Sequence, residues 1–176
     1  EKNYLNIVFT GNVGEAQNFE YILSVASKLK NLKIKWHIIG GGRYLSALEE
    51  ENINNKNIIF YGLKDKKEIF NYLNSADVLL ITLKGGESIN STIPGKFQTY
   101  LLANKMILGS IAGEVDDLIK KYKIGLSSYP NDEENFIKNI KYFLKMKEEK
   151  KSFTINTSEL KDKFNKEKII NFLNTE

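Results

Sequence analysis

Short apolar runs and longer amphipathic stretches alternate along this chain, and the change of period between them predicts its elements. Leu5–Thr10 is a β-rich run ending in Gly11-Asn12-Val13-Gly14, the pattern of a buried strand entering a loop. Ala16, Phe19, Ile22, Leu23, Ala26 and Leu29 then recur at helical spacing, and Asn31 stops the helix. Ile34–Ile39 is a second strand, again ending in glycines, Gly40 to Gly42, and Tyr44–Glu51 a short helix. The alternation continues with strand Asn57–Gly62, helix Lys66–Leu73 and strand Val78–Leu83. This last run is almost wholly apolar, as suits a central parallel strand covered on both faces. A long polar loop, Lys84–Pro94, leads to helix Phe97–Ala103, strand Met106–Ser110, a helix started by Asp116 and running to Tyr122, and a short strand Gly125–Tyr129. Helix Glu133–Lys147 follows, capped by Pro130-Asn131-Asp132, and an amphipathic helix Glu159–Leu173 closes the chain.

This order predicts an α/β fold: an open, doubly wound, mostly parallel Rossmann-like sheet of about six strands with helices on both faces, forming one domain over residues 1–176. With 41% hydrophobic residues the chain can build a core. The absence of Cys excludes disulfides and thiolate metal sites, and a lone His, His37, excludes His-cluster chemistry. His37 lies mid-strand between Trp36 and Ile38, which predicts a structural role; Tyr61 and Tyr100 read as packing. Net charge is +4, but the lysines are dispersed among acids with no basic stripe, so no nucleic-acid partner is expected. The Lys145–Ser152 charge run reads as a solvated helix end and linker. No apolar run approaches 18 residues, and Glu1–Tyr4 lacks signal-peptide features, which predicts a cytoplasmic protein.

In such a sheet ligands bind at the carboxyl ends of the strands. Several of those ends carry Gly or small polar residues: Gly11 to Gly14, Gly40 to Gly42, Gly62 and Gly109-Ser110. Glycine lets backbone N–H groups approach an anion, and the next helix adds its positive end, so a phosphate ligand is the first expectation. Turn geometry alone is the competing reason for glycine there. The dinucleotide fingerprint is absent after the first strand, as are the nucleotide-triphosphate P-loop and the acidic cluster of a receiver domain.

Three blocks carry a resemblance. They are Phe9-Thr10-Gly11-Asn12-Val13-Gly14-Glu15-Ala16-Gln17, then Pro94-Gly95-Lys96-Phe97-Gln98-Thr99-Tyr100 running on to Leu108, then Gly113–Ile119 with Ile124-Gly125-Leu126. In order and spacing this resembles the C-terminal, donor-binding half of a family 4 glycosyltransferase of the GT-B fold, of the bacterial surface-polysaccharide subgroup that carries G-N-x-G-x-A-Q and P-S-K-x-x-E-Y. The resemblance implies a nucleotide-sugar donor, a UDP-sugar first, with the acceptor domain on a separate N-terminal half that this chain lacks. It implies retaining, metal-independent transfer, no cofactor, and a lipid-linked or glycan acceptor in the full protein, peripheral at the inner membrane. The D-x-D metal motif occurs nowhere.

The resemblance also assigns residues. Asn12 and Gln17 stand where many members place an Arg and a Lys that grip the diphosphate; they can donate hydrogen bonds but bring no charge. Lys96 and Arg43 are candidates to compensate, with a solvated helix-start residue as the alternative for Arg43. Lys96 heads a helix, where a cation opposes the helix dipole unless an anion is near. The backbone amides from Gly11 to Gly14, and those near Ser91 and Thr92, are expected beside Lys96 on the diphosphate. The two carboxylates of the family's E-x7-E pair fall on Ser91 and Thr99, so neither survives; Thr99, with Gln98 beside it, keeps one hydrogen bond for the ribose, and Glu87 could take over the sugar. Gly62 and Leu63 would hold the base. Two other readings stay open: a degenerate, non-catalytic nucleotide-binding or interaction module, and a UDP-N-acetylglucosamine 2-epimerase-like domain.

Overall fold

The computed structural model describes residues 3–53, 55–86, 93–155, 157–158 and 160. Six parallel strands form one sheet in the order β3-β2-β1-β4-β5-β6. They are β1 (Leu5–Thr10), β2 (Ile34–Ile39), β3 (Ile58–Phe60), β4 (Val78–Thr82), β5 (Met106–Ser110) and β6 (Gly125–Ser128). A 3-10 turn (Glu15–Gln17) precedes α1 (Phe19–Lys28); α2 (Leu45–Glu51), α3 (Lys66–Ser75), α4 (Gly95–Leu102), α5 (Glu114–Lys121) and α6 (Glu133–Glu148) follow the later strands. The expected terminal helix beyond Leu160 lies outside the described residues.

Period-two side-chain alternation sorts the core into two layers. Leu5, Ile7 and Phe9 of β1 join Trp36, Ile38, Leu80 and Leu108 under α1 and α6. Val8, Leu79, Ile81 and Ile107 pack instead against α3, α4 and α5 through Leu73, Phe97, Tyr100, Leu101, Val115 and Ile119. The central strands β1 and β4 are covered on both faces, and all their residues are buried, including Asn6 and Thr10 of β1 and Thr82 of β4. Each fully buried Phe of this kind stabilises the fold by roughly 2–3 kcal/mol through the area it removes from water.

Strands are added in one direction from β1 to β3, and α3 then carries the chain back across to β4, on the other side of β1. The crevice between the outgoing and returning halves opens above β1 and β4, at their carboxyl ends, the place where this topology leaves room for a ligand.

Several boundaries differ from the sequence expectation. The helix expected from Ala16 breaks at Asn18, which adopts the left-handed conformation (φ 53°) between the 3-10 turn and α1. Asn tolerates that conformation. Here its buried side chain donates to Asn131 Oδ1 at 2.8 Å, a long-range bond no local pattern announces. β3 is only three residues long, because as the edge strand it has β2 alone to pair with. α5 starts at Glu114, two residues earlier than expected; Asp116 instead accepts from Ser127 and Lys120. Lys147, expected on a solvated run, is tied to Asp77 at 2.7 Å with its side chain only 23% exposed.

Candidate active-site crevice above β1 and β4

The loop after β1 is closed largely on itself. The Gly11 amide donates to the Ile39 carbonyl at 2.9 Å and the Val13 amide to the Gly41 carbonyl at 2.8 Å. The Gly14 amide donates to Gln17 Oε1 at 3.1 Å. Of the four amides expected on a diphosphate, therefore, three are engaged within the protein, and only Asn12 keeps an amide without an acceptor among the described residues. Gln17 acts first as the clamp of this loop. The glycine after β2 has a packing cause too: a Cβ on Gly40 (φ 145°) would sit 1.8 Å from the Gly11 carbonyl oxygen. Side-chain sterics, and not anion contact, explain that glycine.

Lys96 is the unusual group. It follows Gly95 in the first turn of α4 and reaches beneath the β1 loop, so that a Cβ on Gly11 would touch its Cε and Nζ at 3.4 Å. Its Nζ stands 3.8 Å from the centroid of the Phe9 ring. That nitrogen is buried and has no hydrogen-bond partner among the described residues. Burial lowers its pKa from 10.5 to about 7. A buried cation without a partner is rare because desolvation is expensive; the aromatic face offsets only part of it.

Lys96 lines a cavity of about 350 Å³ with Thr10, Gly11, Asn12, Lys66, Ile69, Phe70, Gly95 and Thr99. The walls come from β1, α3 and α4, the elements that meet where the strand order reverses. Two lysines and no carboxylate line it among the described residues. The α4 helix has no side-chain cap; its Phe97 amide donates to the Pro94 carbonyl at 2.9 Å, and the Gly95 and Lys96 amides before it join the lysines in favouring an anion. Below the cavity Tyr100 is fully buried; its hydroxyl accepts from the Thr10 amide at 2.9 Å, and burial pushes its pKa up to about 12. Tyr100 thus locks α4 to the end of β1 and sets the height of Lys96.

A second open cavity, about 530 Å³, adjoins the first through Asn12 and is lined by Gly14, Gln17, Arg43, Lys84 and Gly85 among others. Arg43 is exposed there, and Lys84 lies 3.5 Å from Glu15. The sequence-assigned phosphate residues are therefore split: Gly11, Asn12 and Lys96 in one cavity, Gly14, Gln17 and Arg43 in the other, with Asn12 in both. Thr99 joins the first. Gly62, Leu63 and Gln98 line neither. Leu63 is 83% exposed at the carboxyl end of β3, its side chain over Gly41. Glu87, Ser91 and Thr92 lie outside the described residues.

Sequence reasoning missed Lys66, Phe70 and Lys84. Lys66 opens α3 at the carboxyl end of the sheet and reads locally as a plain helix start; only the return of the chain from β3 to β4 brings it to Lys96. His37 is held within the fold, Nδ1 at 2.8 Å from Tyr61 Oη and Nε2 at 3.2 Å from Asn6 Oδ1, the structural role its position predicts.

The crevice and its sheet define a Rossmann-like domain of the GT-B glycosyltransferase fold. The chain belongs to the family Glycosyl transferases group 1, which matches residues 1–160. It is 30% identical over 128 residues to the probable glycosyltransferase WbjE of Pseudomonas aeruginosa, covering 70% of this chain and 32% of that protein. It is 31% identical over 81 residues to an uncharacterized 41.2 kDa protein of the cps region of Klebsiella pneumoniae, covering 46% of this chain and 22% of the other. Among solved structures it is similar to TarM of S. aureus, in complex with UDP among other ligands (TM-score 0.68, 15% identity, 98% of this chain and 35% of that one). HepE of Anabaena, in complex with UDP and glucose, is also similar (TM-score 0.64, 10% identity, 86% and 45%). The matched region thus spans about a third or less of the curated relatives. No helix among the described residues is long and apolar enough to cross a membrane.

Proposed function

We propose that this chain is the donor-binding half of a retaining glycosyltransferase that takes a sugar from a nucleoside diphosphate-sugar, a UDP-sugar first, during assembly of a surface polysaccharide. The observation that carries the reading is the buried Nζ of Lys96, without a partner among the described residues, in a cavity whose described lining holds no acid, at the strand-order reversal. An anionic group is what such a nitrogen lacks. WbjE and the cps-region protein support the polysaccharide context, and HepE, solved with UDP and glucose, supports the nucleotide.

In this reading the diphosphate meets Lys96, the Asn12 amide and the first turn of α4, while Arg43 flanks the adjoining cavity. These donors would stabilise the charge that builds on the departing nucleoside diphosphate as the anomeric carbon becomes oxocarbenium-like. Leu63 offers an apolar ledge to the base, Thr99 a hydroxyl to the ribose, and Glu87, Ser91 and Thr92 are the candidates for the sugar. Lysine and backbone amides would do this electrostatic work without a metal. A separate half would supply the acceptor, a lipid-linked or glycan hydroxyl, at the cytoplasmic side of the inner membrane.

Thr99 favours a second reading. With a hydroxyl where the family resemblance places a ribose carboxylate, and no acid elsewhere in the described lining, the domain could bind a nucleotide without supporting transfer. Calorimetric titration with UDP, GDP and ADP, with and without Mg²⁺, tests the site: selective, Mg²⁺-independent binding of one nucleotide is expected. Failure of all three to bind would remove the donor-domain reading for this chain. Sugar release from the bound donor, assayed with the acceptor half present, separates enzyme from silent module.

A further inference from the structure

Lys96 poses a question that a phosphate contact alone does not answer. An exposed lysine would hold a diphosphate while staying charged throughout. This one is shut beneath Gly11, against the Phe9 ring, with no acceptor for any of its protons among the described residues. The groups that face it deepen the problem. Across the cavity, α3 contributes Lys66, a like charge. From its own helix come Thr99 and Tyr100, the latter a neutral phenol whose hydroxyl is already bonded to the Thr10 amide. β1 and its loop contribute Thr10, Gly11 and Asn12, all uncharged. Asp65, the N-cap of α3, and Glu68 each accept from the other's backbone amide in that helix's capping box, Glu68 also pairs with Lys64, and neither acid lines the cavity. Nothing in the described surroundings holds a proton on Lys96.

We propose that Lys96 is a proton-coupled anion ligand: it rests as a neutral amine in the empty crevice and takes one proton from solvent when the diphosphate of a nucleotide arrives, so that charge appears on the protein only with its counter-charge. Donor binding and proton uptake are then one event. The inference deepens the donor-site reading and rests on it for the identity of the anion, but not for the state of the empty site. The burial-lowered pKa of Lys96, about 7, agrees with this geometry.

Two measurements on this chain test it. In the first, lysine labelled with ¹³C at Cε and ¹⁵N at Nζ is titrated by NMR without ligand. One lysine should titrate near neutrality, its signal should vanish in Lys96→Met, and addition of UDP or of pyrophosphate should move its midpoint upward by at least two pH units. In the second, UDP is titrated calorimetrically at pH 8 in Tris and in HEPES, whose ionisation enthalpies differ. A group with a free pKa of about 7 is about nine-tenths neutral at pH 8, so uptake of about 0.9 proton per UDP is expected. The wild-type affinity should fall about fivefold to tenfold between pH 8 and pH 9. Lys96→Arg, which cannot lose its proton, should bind without uptake and with little dependence on pH.

If no lysine titrates below pH 9 in the free protein, the proposal is overturned whatever the nucleotide does. UDP binding with no proton uptake, or with uptake that Lys96→Met leaves intact, overturns the proposal and leaves the donor reading standing. A Lys96 midpoint that shifts with pyrophosphate while UDP fails to bind supports the proposal and removes the nucleotide reading. A midpoint near neutrality that neither ligand moves overturns the coupling.

Discussion

Replacing Lys96 by Met should stabilise this protein, and by an amount that shrinks as pH rises. In the unfolded chain the Lys96 amine holds its proton to about pH 10.5; in the fold it releases it near 7. Between those values the unfolded state binds more protons than the folded one, so stability climbs with pH across that window. Below pH 7 the folded protein carries the whole cost of a buried, unpartnered cation. The gap from 10.5 to about 7, at roughly 1.4 kcal/mol per pH unit, sets a ceiling of about 5 kcal/mol. The Phe9 ring under the ammonium is already part of that balance; it favours the charged form by about 1 kcal/mol, so Phe9→Leu should lower the amine pKa further. Methionine fills a similar volume, makes apolar contact with the same ring, and has no proton to lose. Urea unfolding followed by far-ultraviolet circular dichroism, from pH 6.5 to pH 9.5, should show the variant ahead by about 3–5 kcal/mol at the acid end. That lead should decline by about 1.4 kcal/mol per unit above pH 7. Tyr21 and Tyr100, both pushed up to about 12 by burial, lower stability above pH 10, but they do so equally in both proteins and cancel in the difference. A lead independent of pH, or a variant less stable than the wild type at pH 6.5, would refute the buried-amine account.

Other perturbations separate the scaffold from the site. Gly40→Ala should drive a Cβ into the Gly11 carbonyl, 1.8 Å away, and lose several kcal/mol in thermal melts together with any nucleotide binding. Asp77→Ala leaves Lys147 and the Asn6 amide, both partly buried, without their shared acceptor; we expect a loss of about 2–4 kcal/mol in denaturant unfolding and no direct effect on nucleotide contacts. Leu63→Ala removes an 83% exposed side chain, so stability should stay within about 0.5 kcal/mol while UDP affinity falls several-fold; unchanged affinity would take the base away from this ledge. Arg43→Ala should likewise leave the melting temperature in place and weaken UDP binding about fivefold to tenfold, with a shallower dependence on salt.

Much was legible along the chain itself. Apolar runs of strand length alternating with helical periodicity determine a parallel sheet covered on both faces, because only such a sheet buries both sides of Val78–Thr82. The order of the glycine-ended strands and the Pro94-Gly95-Lys96 block determines where a ligand crevice must open and which family the chain belongs to. Period and run length report which faces of each element must be buried, and that is enough to type the element even where its partners are distant. What the side chains at the crevice do was decided only in three dimensions. Lys96 reads as a helix-start cation, yet it is buried because β1 places Phe9 and Gly11 over it, from the far end of the sequence. Gln17 stands at a phosphate-gripping position, yet it closes the loop on Gly14. Gly40 reads as an anion-binding glycine, yet it is required by the Gly11 carbonyl of the neighbouring loop. Lys66 joins Lys96 only because α3 carries the chain back across the sheet. Burial, orphaned hydrogen-bonding groups and close backbone approach are properties of contacts between distant segments, and such contacts leave no period in a sequence.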